Sequence, residues 1–118
     1  MTAVPEDATP ALEMLRGVGG DEMLAMMMQT FIQFADERMV KMAEESRDGH
    51  IAEVAGIAHS LKSSARQLGA LAMGEACAAT EAAAKAGDAA AAKRGVADVE
   101  REYALAKSWM AELATAAS

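Results

Sequence analysis

The sequence predicts an all-α protein, an antiparallel up-down four-helix bundle with a short extra helix at its N-terminal end. Three observations predict this fold class. Alanine and ten methionines supply much of the 53% hydrophobic content, and both residue types favour helices. β-branched residues are sparse, which disfavours a sheet. Apolar residues recur at steps of three and four over long segments, as they do on the buried face of an amphipathic helix.

Breaks in the sequence divide the chain into five predicted helices. The first is short and starts at Thr9-Pro10, a capping residue followed by a proline suited to the first helical position. Asp21, Asp48 and Asp88 are expected to cap the second, third and fifth helices, and Gly69 to end the third. The predicted segments are 9–16, which ends at the break 17–20, then 21–46, a third that includes 51–68, then 71–86, and a last that includes 96–113.

Each long helix carries a stripe of residues that we expect to form the core. The stripes are Leu24, Met28, Phe31, Ala35, Met39 and Met42 in the second helix; Ile51, Val54, Ala58, Leu61, Ala65 and Leu68 in the third; Met73, Ala76, Thr80 and Ala83 in the fourth; and Val96, Val99, Tyr103, Ala106, Met110 and Leu113 in the last. Cys77 is expected to be a small core residue and Trp109 to pack against or cap the bundle. Short connections between long helices predict the antiparallel arrangement.

Composition and charge exclude several classes of protein. The 118 residues fit one domain, residues 1–118, with an ordered bundle at about 9–115. The net charge of −7 disfavours binding to nucleic acid. One cysteine, Cys77, forms no intrachain disulfide, which favours a reducing compartment. Because neither a signal peptide nor a membrane-spanning run is evident, we expect a cytoplasmic protein, away from the membrane and monomeric.

His59 stands out on the third predicted helix. On a helical wheel of about 100° per residue it lies roughly 130° from the centre of the apolar stripe, so it should face solvent. Most of its neighbours on the wheel are small, which would let another protein approach closely. These neighbours are Ala52, Ala55, Gly56, Ser63 and Arg66.

The charge pattern around His59 suggests a chemistry. No acidic residue lies between Val54 and Gly74, although the chain contains 18. Lys62 and Arg66 follow His59 by one and two turns. Imidazole is a nucleophile near neutral pH, and nearby cations can stabilise a phosphoryl group in transit. Phosphoryl transfer is therefore plausible, while an ordinary surface histidine remains the alternative.

The residues around His59 resemble a known motif. Residues 58–70, Ala-His-Ser-Leu-Lys-Ser-Ser-Ala-Arg-Gln-Leu-Gly-Ala, resemble the phosphoacceptor motif of histidine phosphotransfer domains. That motif has His, any residue, Leu, Lys, Gly, then small residues and a final Leu-Gly-Ala. Cys77 and Glu81 match the Cys-x-x-x-Glu pattern of the family's next helix, and Gly19-Gly20-Asp21 and Phe31 resemble its second helix. The resemblance covers about residues 17–113, and it departs at Ser63, where the family usually has glycine.

This resemblance implies roles for several residues. His59 would be phosphorylated at its outer ring nitrogen, Lys62 would be the electrostatic helper, and Gly56 and Ser63 would give clearance for a receiver domain. Arg66 as a phosphate or partner contact is our own inference, beside the alternative of a solvated helix face. The chain would be a phosphocarrier without kinase activity, because no glycine-rich nucleotide loop is evident.

The resemblance also implies partners. The domain would need no cofactor or metal of its own, because the receiver would supply Mg²⁺ and the acceptor aspartate. The expected partners are response regulator receiver domains, a hybrid sensor histidine kinase, or both. In such a phosphorelay His59 would take the phosphoryl group from one receiver and pass it to another.

Three alternatives differ in chemistry. A metal site is disfavoured, because His50 and His59 are nine residues apart and lie on opposite sides of a helix. A hydrolase using Ser60, Ser63 or Ser64 is disfavoured, because we expect no acidic residue close enough to orient His59. A structural or docking bundle whose histidine is never phosphorylated remains the main alternative.

Overall fold

The computed structural model describes residues 3–117, in which four α-helices form a bundle. The helices are α1 (Thr9–Arg47), α2 (Ile51–Gln67), α3 (Leu71–Lys85) and α4 (Ala89–Ala117), preceded by a 3₁₀ turn at Glu6–Ala8. Around the bundle, α1 packs against α2 and α4, and α3 packs against α2 and α4, whereas α2 and α4 barely touch. Residues 3–117 contain no β-strand. The predicted all-α four-helix bundle is therefore confirmed, and no helix of this part of the chain is long and apolar enough to cross a membrane.

The predicted extra N-terminal helix is the first arm of α1. The two arms meet at Gly20, where φ is +72° and ψ is −168°, a conformation that glycine adopts at little cost because it has no Cβ. The first arm continues past Arg16 to Gly19, so only one residue of the predicted break 17–20 is non-helical. Asp21 accepts a hydrogen bond from Arg16 Nε across the bend, at 3.2 Å.

Of the four predicted helix N-caps, Asp88 is confirmed, Thr9 and Asp48 are wrong, and Asp21 lies within α1 with its carboxylate bonded to Arg16. Asp88 caps α4, because its carboxylate accepts a hydrogen bond from the Ala91 N–H at 3.0 Å. Asp48 instead closes the end of α1, and His50 precedes α2 without a side-chain cap. The turn between α1 and α2 includes residues 48–50, because the chain reverses its direction at Gly49, where φ is +77°. Thr9 is already inside α1, since the residue before the helix is Ala8.

Gly69 ends α2 as predicted, with φ +86°. The Ala70 N–H donates to the Ala65 carbonyl at 2.9 Å, which satisfies one of the last carbonyls of the helix. The backbone of Ala8 packs directly against this turn, and a methyl group at Gly69 would lie 2.9 Å from Ala8 Cα. Gly69 is therefore required both by its backbone conformation and by close packing.

The core follows the predicted stripes in three of the four long helices. Every predicted residue of the second helix is buried, and in the third and last only Ile51 and Leu113 are half-buried. The predicted stripe of α3 is partly wrong, because Ala76 and Ala83 are only half-buried. The buried residues of α3 are Met73, Gly74, Cys77, Thr80, Glu81 and Ala84. Alanine covers several sides of this helix, so hydrophobic periodicity could not identify the face that turns inward.

A close contact between α3 and α4 helps to fix the position of α3 in the bundle. A methyl group at Gly95 would collide with Thr80 Oγ1 and lie 3.1 Å from Thr80 Cα. The Thr80 hydroxyl is already used, since it donates to the Ala76 carbonyl at 2.8 Å. Thr80 precedes Glu81, so the packing of α4 helps to fix where Glu81 faces α2.

Candidate functional site

His59 lies in the middle of α2, and 62% of its side chain is exposed. This exposure agrees with the helical-wheel prediction. Gly56 and Ser63 lie one turn before and one turn after it and are exposed on the same helix. A methyl group at Gly56 would meet nothing within 4 Å, so the packing of the chain itself does not require glycine there. The imidazole therefore lies on an open face with little side-chain bulk beside it.

An open cleft runs beside His59 between α2 and α3. It is lined by Ala52, Ala55 and Gly56 from α2 and by Glu81, Ala84 and Lys85 from α3, together with His59. Four of these residues are small, which leaves room next to the ring. Ala55, expected near the exposed face, is instead buried, because it packs in a small cluster with Ala84 and Ala92.

Glu81 reaches His59 from the neighbouring helix. Its Oε2 lies 2.9 Å from His59 Nδ1, and only 7% of the Glu81 side chain is exposed. The expectation that no acidic residue orients His59 is therefore wrong. The sequence around His59 in α2 has no acidic residue, but α3 places the Glu81 carboxylate beside the ring. The surroundings of His59 are therefore not purely basic.

The contact with Glu81 determines the form of the imidazole. Hydrogen bonds from Lys62 and then Lys85 lower the Glu81 pKa to about 2, with a further contribution from His59, so Glu81 is a carboxylate at neutral pH. A carboxylate only accepts hydrogen bonds, so Nδ1 must carry a proton. The other ring nitrogen, Nε2, has no hydrogen-bond partner within residues 3–117. In the neutral ring its lone pair is therefore available as a nucleophile.

Lys62 faces α3 instead of solvent. Its Nζ lies 2.7 Å from Glu81 Oε1, and 20% of its side chain is exposed. A second lysine, Lys85, binds the other carboxylate oxygen at 2.8 Å, and 67% of its side chain is exposed. Glu81 thus holds two ammonium groups and the imidazole at once. Together they form a four-residue cluster, His59, Lys62, Glu81 and Lys85, which we call the Glu81 cluster.

Arg66 is not brought to the imidazole. It lies seven residues after His59, about 10 Å farther along the helix axis at 1.5 Å per residue. Its aliphatic stem rests on Gly74 of α3, where a methyl group would lie 2.8 Å from Arg66 Cγ. The guanidinium has no ion-pair partner among the described residues. It remains an exposed cation at the far end of the same helix face.

Sequence reasoning missed Lys85 and gave Glu81 no role, although the register of the α2–α3 hairpin could have found both. His59 and Glu81 are each eleven residues from Ala70, and Arg66 and Gly74 are each four residues from it. In an antiparallel helix pair, positions equally far from the turn face each other. Glu81 and Lys85 are then an i, i+4 pair on the side of α3 that faces His59.

Other reactive side chains are not arranged for separate chemistry. Burial raises the pKa of Cys77 to about 12, so its thiol stays protonated in the core. The Ser60 hydroxyl donates to the Ile57 carbonyl at 2.9 Å and is not bonded to His59. A serine hydrolase built on Ser60 is thus disfavoured, because Ser60 is not hydrogen-bonded to His59, whatever the role of Glu81. The described residues bring no three metal-binding side chains together.

Two comparisons with known proteins give matches. The model of the Hpt domain family matches residues 26–115. A crystal structure of histidine-containing phosphotransfer protein B from Pseudomonas aeruginosa PAO1 is similar in fold, with a TM-score of 0.88 and 23% sequence identity over 96% of this chain and 97% of that one. No curated protein matches the sequence. Because the family model spans well over half of the chain, the protein belongs to the histidine phosphotransfer (Hpt) domain family, whose members act as phosphocarriers in two-component phosphorelays.

Proposed function

We propose that His59 is the phosphoacceptor, taking a phosphoryl group from the aspartate of one receiver domain and passing it to another. The observation that carries this proposal is the combination of an exposed ring, the 2.9 Å contact of Nδ1 with the Glu81 carboxylate, and an Nε2 without a hydrogen-bond partner among residues 3–117. Small residues on both sides of His59 leave the approach open. Membership of the Hpt family supports a phosphorelay role, and the proposal adds the residue and the route.

The transfer step follows from this geometry. The Nε2 lone pair attacks the phosphorus of the receiver's aspartyl phosphate, and an N–P bond forms as the P–O bond to the aspartate breaks. The bonding electrons leave with the aspartate carboxylate. The ring becomes positively charged while Nδ1 keeps its proton, and the ionised Glu81 stabilises that charge across 2.9 Å. Return of the phosphoryl group to a second receiver is the same step reversed.

Lys62 acts in this proposal mainly through Glu81. Its ammonium is turned to the carboxylate at 2.7 Å, so it keeps Glu81 ionised and fixed in place. Its positive charge also lowers the energy of a phosphoryl group passing to His59. Gly56 and Ser63 provide clearance, and Arg66 contacts an acidic part of the partner about two turns away. We propose that the receiver supplies Mg²⁺ and the acceptor aspartate, and that this chain has no kinase activity of its own.

The experiment that tests this function is transfer of labelled phosphate from a phosphorylated receiver domain. The parent should become labelled with a product that is stable in alkali and lost in acid. The variant His59→Gln should take up none and keep its melting temperature, because the exposed ring contributes little packing. The matched control, His50→Gln, should accept phosphate like the parent.

Two outcomes would contradict the proposal. Label retained in His59→Gln but lost in His50→Gln would make His50 the acceptor. A parent protein that accepts no phosphate from any receiver tested, while still binding one, would favour the alternative of a docking bundle whose histidine is never phosphorylated.

A further inference from the structure

We propose that Lys85 is the mobile cation of the site. Once His59 is phosphorylated, the Lys85 ammonium leaves Glu81 and binds a phosphoryl oxygen. This inference rests on the proposed function of His59 and deepens it by naming a second residue that contacts the transferred group. It also separates the roles of the two lysines. Lys62 would hold the carboxylate, and Lys85 would hold the phosphoryl group.

The cleft beside His59 provides the first observation. Three of its lining residues, His59, Glu81 and Lys85, carry ionisable side chains, and the other four are alanine or glycine. A phosphoryl group on His59 that enters this cleft therefore meets one cation in its lining. Lys62 does not line it.

The shared carboxylate oxygen provides the second observation. Glu81 Oε2 lies 2.9 Å from His59 Nδ1 and 2.8 Å from Lys85 Nζ, so these two nitrogens are at most 5.7 Å apart (2.9 + 2.8). Lys62 occupies the other oxygen, Oε1. Release of Lys85 would therefore leave Glu81 with two partners, the Lys62 ammonium and the imidazole N–H. Neither the carboxylate nor the ring would lose its position.

The difference in exposure between the two lysines provides the third observation. The Lys62 side chain is 20% exposed and that of Lys85 is 67% exposed. An exposed lysine on a flexible four-carbon stem can change partner without breaking the packing around it. A phosphoryl group carries up to two negative charges, against one on Glu81, so it competes well for that ammonium.

The competing explanation is that Lys85 only supports its own helix. It follows Glu81 by four residues and lies in the last turn of α3, where a cation stabilises a helix slightly. Such a contact affects stability by a small amount and has no effect on the phosphoryl group. The experiment must therefore measure the phosphoryl group itself.

The test compares Lys85→Ala, Lys85→Arg and the control Lys93→Ala, which removes an exposed lysine of α4. Phosphoramidate serves as donor, so that receiver docking does not enter the result. We expect phosphorylation of His59 in Lys85→Ala to slow about tenfold, the usual scale for losing one hydrogen bond to a charged group. Lys85→Arg should restore most of the rate, and Lys93→Ala should match the parent.

A second measurement reports contact directly. The titration of the phosphoryl group on His59 can be followed by ³¹P NMR. Removing a neighbouring cation favours the protonated form, so its pKa should rise in Lys85→Ala, corresponding to about threefold tighter proton binding. It should not change in Lys93→Ala.

The outcomes separate the two proposals. If the parent is phosphorylated on His59 but Lys85→Ala shows the parental rate and the parental ³¹P titration, the role of Lys85 is wrong and the proposed function stands. If the parent accepts no phosphate on His59, both are wrong. If Lys85→Ala shows a lower melting temperature but unchanged phosphorylation and titration, Lys85 is a structural residue alone.

Discussion

The chain contains two histidines, and both bind a glutamate through Nδ1. His59 lies 2.9 Å from Glu81 and His50 lies 2.6 Å from Glu45. The two rings are similarly exposed, at 62% and 59%. Each glutamate also binds lysine, and the pKa of each glutamate is lowered. A histidine–glutamate pair therefore does not by itself distinguish one ring from the other.

The surroundings of the two pairs differ. Glu81 belongs to a different helix from His59, whereas Glu45 precedes His50 by five residues across one turn. Glu81 binds Lys62 and Lys85, whereas the cleft at His50 holds a single cation, Lys41, and a second acid, Glu53. A phosphoryl group at His50 would thus meet net negative charge. The comparison teaches that the charge balance and the helix that supplies the glutamate, more than the hydrogen bond itself, distinguish the two rings.

The largest expected effect concerns the helix beneath His59. Leu61 is fully buried on the opposite face of α2, so Leu61→Ala should lower the free energy of unfolding by about 2–5 kcal/mol. Ile51, which is only half-buried next to His50, should cost less than about 2 kcal/mol when changed to alanine. Denaturant unfolding monitored by circular dichroism measures both. Equal losses of unfolding free energy in the two variants would show that the helix is packed equally well beneath both histidines.

The next effect concerns approach to the rings. Ser63→Tyr adds bulk on the exposed face of His59, where a receiver must come close, so transfer from a phosphorylated receiver should fall about ten- to hundredfold, which corresponds to about 1.4–2.8 kcal/mol. Asp48→Tyr adds the same ring near His50 and should leave transfer unchanged. Transfer from phosphoramidate should fall less in Ser63→Tyr, because a small donor needs less room. A parental rate from the receiver in Ser63→Tyr would exclude docking across this face.

A smaller effect concerns the two glutamates in acid. The folded Glu81 pKa of about 2 lies below its ordinary value of 4.5, so its stabilising contribution is complete above about pH 5 and is lost as the pH falls toward 2. Glu81→Gln should therefore be less stable than the parent at neutral pH, and the gap should close in acid. Glu45→Gln should show the same sign with a smaller gap, because fewer groups bind Glu45. A Glu81 carboxyl that titrates near 4.5 by NMR would contradict this comparison.

The smallest effect concerns helix propensity at the clearance positions. Ser63→Gly introduces glycine into the middle of α2 and should cost about 0.5–1 kcal/mol of stability. Transfer from the receiver should be at least as fast as in the parent, because no clearance is lost. Thermal unfolding and a transfer assay on the same sample measure both. Slower transfer would show that the Ser63 hydroxyl contributes to docking.

The sequence was sufficient for the fold because apolar and polar residues lie on different faces of most helices. The stripes of Leu24 to Met42 and of Val96 to Met110 contrast with polar neighbours, so their inward faces could be predicted. The same periodicity placed His59 on the exposed face of α2. In α3 that contrast is missing, since alanine surrounds the helix and its buried face includes Gly74 and Glu81.

The Glu81 cluster could not be predicted from the periodicity of a single helix. Lys62 was expected beside His59 as a cation, but the structure directs it to Glu81 at 2.7 Å. That contact depends on the register between α2 and α3, which the turn at Gly69 and the close packing of Arg66 on Gly74 help to fix. Information about one helix face can predict exposure, whereas an ion-pair cluster requires knowledge of which residues face each other across two helices.

Ala8 lies against Gly69, and this contact bears on how short a fragment of the chain can be and still fold. The family match begins at residue 26, yet residues ahead of it are part of the core, among them Ala8, Leu12 and Leu24. A fragment that starts at residue 26 would expose the Leu68-Gly69-Ala70 end of the His59 segment to water. We therefore expect the shortest stably folding fragment to be longer than the segment that the family model matches.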